Sequence, residues 1–281
     1  MKNDVVPFTD VRVPIHEIDQ EWRTAMLDHC IRTVANAPLE TDPFPHFVVS
    51  GFLPNDTYTK ILATLPGSDA YESFGYRKHH NKDGMGNRFR YSLLNKNLAC
   101  RLPHERRLWY TLRSVLVSSE LKQVVYQKLA PGLTMRYGID VPYVKDLSGY
   151  ALPELFRETE GYSIKPHPDT RKKVVTMQLA LAEDESLREL GTEFYRLSLH
   201  PRTWLRPPYG FDTVKTLPFL PNTCYAFSVL NIRKLKSWHG RSKIPSELGI
   251  RNSLLNIWYE KPVTPQQELI DDTAWFSSPT N

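Results

Sequence analysis

From about residue 140 the chain becomes a series of short apolar stretches with a period of two, cut repeatedly by proline and glycine. "VVTMQLALA" sets Val175, Met177, Leu179 and Leu181 on one face and Thr176, Gln178 and Ala180 on the other. "EFYRLSL" (193–199), "TCYAFSVL" (223–230) and "SLLNIWYE" (253–260) follow. The breaks between them are "PRTWLRPPYG", "TLPFLPN" and "HGRSKIPSELG". Proline has no amide hydrogen and stops helices, so 22 prolines in 281 residues argue against a helical bundle. Short punctuated strands predict an antiparallel sandwich or barrel.

The upstream half has a different period. "HEIDQEWRTAMLDHCIRTVANA" (16–37) spaces Trp22, Met26, Leu27, Cys30, Ile31 and Val34 as one face of a helix. "FPHFVVSGFL" (44–53) reads as a strand and turn, with His46 a strand residue near the core. "PNDTYTKILATLP" opens a helix capped by Asn55 or Asp56. "RRLWYTLRSVL" and "SSELKQVVYQKLA" read as two more helices, the second with Ser118 or Ser119 at its cap. The expected fold class is therefore an all-β core with flanking helices (α+β). It forms one domain over 1–281, with mainly helical support from 1–140, the β core over 141–265 and a tail over 266–281.

The net charge is +5 and the pI about 9.0. The bases are scattered, in clusters such as Arg77–His80, Arg171–Lys173 and Arg233–Lys236. A nucleic-acid binder concentrates charge beside groove-reading or stacking elements, and no such motif is present, so no nucleic-acid partner is expected. A small acidic ligand is compatible with this charge. No apolar run approaches membrane-spanning length, so no membrane partner is expected. Three distant cysteines, Cys30, Cys100 and Cys224, make no disulfide framework, and no apolar leader is evident, so the expected compartment is the reducing cytoplasm.

The chemistry is concentrated in "SIKPHPDTRKK". His167 and Asp169 stand two positions apart at the start of a strand-like run, with Pro168 restricting the backbone between them. Alone, a His-x-Asp triplet is also compatible with a polar surface turn. A third donor, His239, lies in the loop beyond "TCYAFSVL". Two imidazoles and one carboxylate make the facial triad of non-haem Fe(II) oxygenases, with the opposite face of the octahedron open. Twelve residues further stands Arg251, and in a strand Arg251, Ser253 and Leu255 point the same way. A guanidinium fork beside a hydroxyl can hold a carboxylate bidentately, at about 1.5–3 kcal/mol per charge-assisted bond.

With these residues in place, His167-Pro-Asp169, His239 and Arg251-Asn-Ser253 resemble the pattern of Fe(II)- and 2-oxoglutarate-dependent dioxygenases. "FPHFVVSGFLP" and "GTEFYR" are similar to stretches of bacterial and prolyl-hydroxylase-like members, with good coverage from about Gly161 to Tyr259. The resemblance implies a double-stranded β-helix (jelly roll, cupin-like) buttressed by N-terminal helices. It implies iron on His167, Asp169 and His239, with the distal carboxylate of 2-oxoglutarate on Arg251 supported by Ser253. The implied reaction consumes O2, hydroxylates an unactivated C–H of a small molecule, and releases succinate and CO2; desaturation or ring formation could use the same site. Asp169 disfavours halogenation, since related halogenases lack the carboxylate ligand.

Tyr162 and Lys165 precede the ligands, and Gln178 shares the polar strand face. The resemblance makes Tyr162 or Lys165 a candidate co-substrate contact, against sheet surface as the plainer reading, and Gln178 is a candidate contact or equally a satisfied core amide. "GYRKHHNKDGMGNRFRYSLL" (75–94) is basic and aperiodic. It reads either as an exposed loop or as a lid bringing Arg77, His79, Arg88 or Arg90 to an anionic substrate. The expected substrate is an amino acid or a natural-product intermediate. The residues also admit a peptide or protein hydroxylase with the same site, a zinc-dependent hydrolase, or a non-catalytic jelly roll that binds a ligand. A zinc site would give Arg251 and Ser253 no role. Oligomeric state is not written in the sequence.

Overall fold

The computed structural model describes residues 15–73 and 86–263. The first half supplies α1 (Gln20–Asn36), β1 (Leu39–Glu40), β2 (His46–Ser50), α2 (Asn55–Ala63), β3 (Glu72–Ser73) and β4 (Arg88–Ser92). Then come α3 (Asn95–Leu98), α4 (Pro103–Leu116), α5 (Ser119–Lys128) and α6 (Ala130–Tyr137). The second half supplies β5 (Tyr150–Glu158), β6 (Ile164–His167), β7 (Lys173–Ala180), β8 (Thr192–Leu197), β9 (Phe211–Leu217), β10 (Thr223–Ser228), β11 (His239–Arg241) and β12 (Arg251–Tyr259).

Local chemistry sets the helix ends. Asp19 caps α1 by accepting from the Trp22 amide at 3.0 Å, and Ser118 caps α5 by accepting from Leu121, as expected. The cap expected at Asn55 or Asp56 is not formed. Pro54 holds the extended residue before α2, so both are already helical. Asp56 still favours the positive end of the helix from its first turn. Helix α6, which the periodicity did not reveal, ends on Gly138 in the left-handed conformation at φ +66°.

Strand pairing produces two antiparallel sheets. The large one runs β1-β2-β10-β7-β12-β5-β4-β3 and the small one β6-β11-β8-β9. From β5 to β12 the chain passes back and forth between them. β5, β7, β10 and β12 fall in the large sheet in the order β10-β7-β12-β5, and β6, β8, β9 and β11 make up the small sheet. This eight-strand winding is the jelly roll, or double-stranded β-helix. The first half does more than cover it with helices, because β1 and β2 extend one edge of the large sheet and β4 and β3 the other. Strand β4 lies within the segment read as a loop, of which 74–85 fall outside the described residues. Strand β9 escaped notice because it pairs only with β8 and exposes most of its side chains.

The alternation of β7 sorts the two faces of the large sheet. Val175, Met177 and Leu179 join Leu254 and Trp258 in one buried cluster with Met26, Cys30 and Val34 of α1 and Leu112 and Val115 of α4. Each large apolar side chain buried this way contributes about 1.5–3 kcal/mol. Thr176 and Gln178 point the other way, into the space between the sheets.

Candidate metal centre

Strands β6 and β11 are antiparallel neighbours, and their register sets His167 directly opposite His239. His239 was expected in a loop; it is instead the first residue of β11. The pairing is possible because Gly240 follows it. A Cβ at that position would stand 2.5 Å from the Ile164 carbonyl oxygen of the neighbouring strand. The two imidazole centroids are 4.4 Å apart. Asp169 leaves the end of β6 and turns inward, and its Oδ2 lies 3.8 Å from His239 Nε2. One donor atom from each of His167, Asp169 and His239 lies within 4.8 Å of the others. No other such group of three occurs among the described residues.

Hydrogen bonds orient all three donors. His167 Nδ1 lies 3.0 Å from the Lys165 carbonyl oxygen and His239 Nδ1 2.9 Å from that of Ser237. Since a carbonyl only accepts, both rings carry their proton on Nδ1 and keep the Nε2 lone pair free, as metal-ligating histidines do. Burial, reinforced by His239, lowers the His167 pKa to about 4, and burial also lowers that of His239. Both rings are therefore neutral near pH 7. Burial opposes ionisation of Asp169. Lys173 and His239 outweigh it, together with bonds from Lys173 Nζ at 2.6 Å and Thr176 Oγ1 at 2.7 Å, and hold the carboxyl below the usual range. Two neutral imidazoles and one ionised carboxylate, open to a cavity, are the donor set that a non-haem iron accepts.

That cavity, about 110 Å³, continues between the sheets from the trio to Arg251. Arg251 is 2% exposed and its guanidinium lies 4.3 Å over the Phe219 ring. Its Nε donates to the Leu190 carbonyl at 2.8 Å, and Nη1 donates to Glu158 at 2.7 Å and to Ser253 at 3.5 Å. In the amide orientation that satisfies both of its ends, Gln178 accepts from Arg251 Nη2 at 2.8 Å and from Ser253 at 3.1 Å, and donates to Tyr225. Arg251, Ser253 and Gln178, which the sequence reading named separately, thus stand side by side.

The other expected residues separate. Tyr162 lines the cavity, 2% exposed, but its ring serves as a platform, with the Arg241 and Arg88 guanidiniums 5.0 and 5.2 Å from its centroid. Lys165 is exposed and contributes its carbonyl to His167. Arg88 lines the cavity, whereas Arg90 pairs outside it with Glu72 at 3.7 Å and Glu154 at 3.8 Å. Arg77 and His79 lie outside the described residues. Glu158 and Arg241 went unnoticed, and Lys173 was read only as part of the scattered Arg171–Lys173 cluster. Each sits in an unremarkable polar stretch, and two of the partners of Glu158 are 83 and 93 residues away.

No protein-family model matches the chain, and no curated protein is significantly similar to it. Solved structures of similar shape include SnoN, a non-heme α-ketoglutarate-dependent epimerase from nogalamycin biosynthesis (14% identity, TM-score 0.45, covering 83% of this chain and 82% of that one). A Pseudomonas putida prolyl-4-hydroxylase (11%, TM-score 0.46, 84% and 99%) and HygX from Streptomyces hygroscopicus, solved with nickel and 2-oxoglutarate bound (11%, TM-score 0.44, 76% and 82%), are others. Likenesses this distant carry no conclusion about activity or substrate. No helix among the described residues is long and apolar enough to cross a membrane.

Proposed function

We propose that this chain is an Fe(II)- and 2-oxoglutarate-dependent oxygenase that hydroxylates an unactivated C–H bond of a small molecule, an amino acid or a natural-product intermediate. The observation that carries this reading is a single cavity lined both by the His167–Asp169–His239 trio and by the buried Arg251. Iron with 2-oxoglutarate and O2 would supply the oxidising power, with succinate and CO2 as by-products. The chain's own part is binding and orientation. His167 and His239 offer Nε2 because their Nδ1 protons are engaged by backbone carbonyls. Asp169 offers an ionised oxygen because Lys173 and Thr176 bind the carboxylate. Arg251 fixes the distal carboxylate of 2-oxoglutarate, with its own direction set by Leu190, Ser253 and Gln178.

The test is an anaerobic titration of the metal-free protein with Fe(II) and then 2-oxoglutarate, followed in the visible. The expected result is a metal-to-keto-acid charge-transfer band that His239→Ala lacks. A protein that binds iron weakly and gives no band would overturn the proposal in favour of a zinc site or a binding protein.

A further inference from the structure

The oxygenase reading employs Arg251 but leaves Arg241 and Glu158 without a role. Glu158 is 4% exposed and lies among three guanidiniums from three different strands. Its Oε2 is 2.7 Å from Arg251 and 3.1 Å from Arg241, and its Oε1 is 3.3 Å from Arg88. Among the described residues that line the cavity, three guanidiniums gather around this one carboxylate, and Lys173 with Asp169 makes a pair of its own. A guanidinium facing a cavity favours an anion as its ligand. The distal carboxylate of 2-oxoglutarate on Arg251 supplies one.

Arg241 shows where the second anion belongs. It lines the cavity, is 6% exposed, and its Nη1 is a buried donor with no hydrogen-bond partner. Arg241 and Arg88 both pack on the Tyr162 ring, which holds the two guanidiniums on one wall of the cavity. Their present partner is itself a carboxylate, so the wall already accommodates that shape. Resting on the assignment of 2-oxoglutarate to Arg251, we propose that Arg241 and Arg88 form a second anion site that takes a carboxylate of the substrate itself. The substrate is then a carboxylic acid. Its acid group is held at the Tyr162 wall and the bond to be oxidised is turned toward the His167–Asp169–His239 end. Glu158 sets the strength of the site by neutralising one of the three positive groups.

The test uses acetate as the probe, with acetamide and inorganic phosphate as comparators, titrated calorimetrically into protein loaded anaerobically with Fe(II) and saturating 2-oxoglutarate. Acetate is expected to bind saturably and acetamide not at all. Arg241→Met is expected to weaken acetate about tenfold or more while moving 2-oxoglutarate affinity by less than about threefold. Glu158→Gln is expected to strengthen acetate binding, a gain that a poorly folded variant does not produce. The proposal is overturned if Arg241→Met leaves acetate binding unchanged, or if it weakens 2-oxoglutarate as much as acetate, which would place Arg241 in the co-substrate site. Phosphate binding more tightly than acetate would overturn the carboxylate assignment. Absence of the charge-transfer band in the unmutated protein would refute the oxygenase reading separately, and acetate binding in the same sample would still report on the Arg241 wall.

Discussion

Strand β7 carries two chemistries one residue apart. Val175, Met177 and Leu179 are almost fully buried against the helices, and Thr176 and Gln178 are buried nearly as well on the cavity side. Burial alone therefore does not distinguish the faces; the partners do. The outer side chains meet other hydrocarbon and need no particular direction beyond close packing. The inner ones meet a carboxylate or a guanidinium, and each has a named hydrogen-bond partner, Asp169 for Thr176 and Arg251 for Gln178. One face should thus govern stability and the other ligand binding, and substitutions on the two faces should separate these properties.

The largest separation is expected from His167→Ala. Loss of a donor should remove measurable Fe(II) binding, while the urea midpoint of the metal-free protein stays close to that of the parent, because the half-buried ring faces the cavity and lies outside the apolar core. Parallel loss of folding would remove the distinction between the faces. The converse substitution, Leu179→Ala, should destabilise by about 2–5 kcal/mol through the cavity it leaves. Its Fe(II) affinity, measured well below the unfolding midpoint, should be unchanged. A smaller effect is expected from Thr176→Val, which keeps the shape but removes the bond to Asp169. Partners that orient a ligand typically govern about 10–100-fold in metal affinity, so a fall within that range is expected with little change in stability. An unchanged affinity would mean that Lys173 alone positions the carboxylate.

The smallest effect is a pH dependence on the inner face, away from the metal site. His46 on β2 is fully buried, donates from Nδ1 to the Phe44 carbonyl at 2.8 Å, and makes no hydrogen bond through Nε2, which lies 3.7 Å from Glu40 Oε2. Burial lowers its pKa below the ordinary 6.5. The unfolded chain therefore takes up a proton at His46 as pH falls below about 6.5, while the folded chain resists it, so stability declines with acidification through that range. Denaturant titrations of His46→Phe between pH 7.5 and 5 should show a shallower decline than the parent. An identical slope would mean that protonation of His46 does not contribute.

Much of the site was legible because its residues are close in sequence to strand signals. His167 and Asp169 announce themselves by spacing, and Arg251 and Ser253 share a face through the two-residue period of a strand. Gln178 was placed opposite the Leu179 stripe by the same period. His239 was identifiable as a donor but not as a strand residue, because β11 is only three residues long and has no alternation to read. Glu158 and Arg241 carried no local signal. A glutamate in "FRETEGY" and an arginine in "HGRSK" look like surface residues until the winding of the jelly roll brings β5, β11 and β12 together.

The alternating pattern from residue 140 onward, the helical period before it, and the order of His167, Asp169, His239 and Arg251 are properties of the chain alone. They determined an antiparallel β core with helical support and a candidate set of metal donors, because side-chain period and donor chemistry are local quantities. Tertiary structure decided which strands became neighbours. It set His167 opposite His239 across β6 and β11, extended the large sheet with β1–β4, and enclosed Glu158 among three arginines. Pairing between distant strands depends on the winding of the whole chain, and the charge balance of a buried cavity depends on everything that the winding brings there.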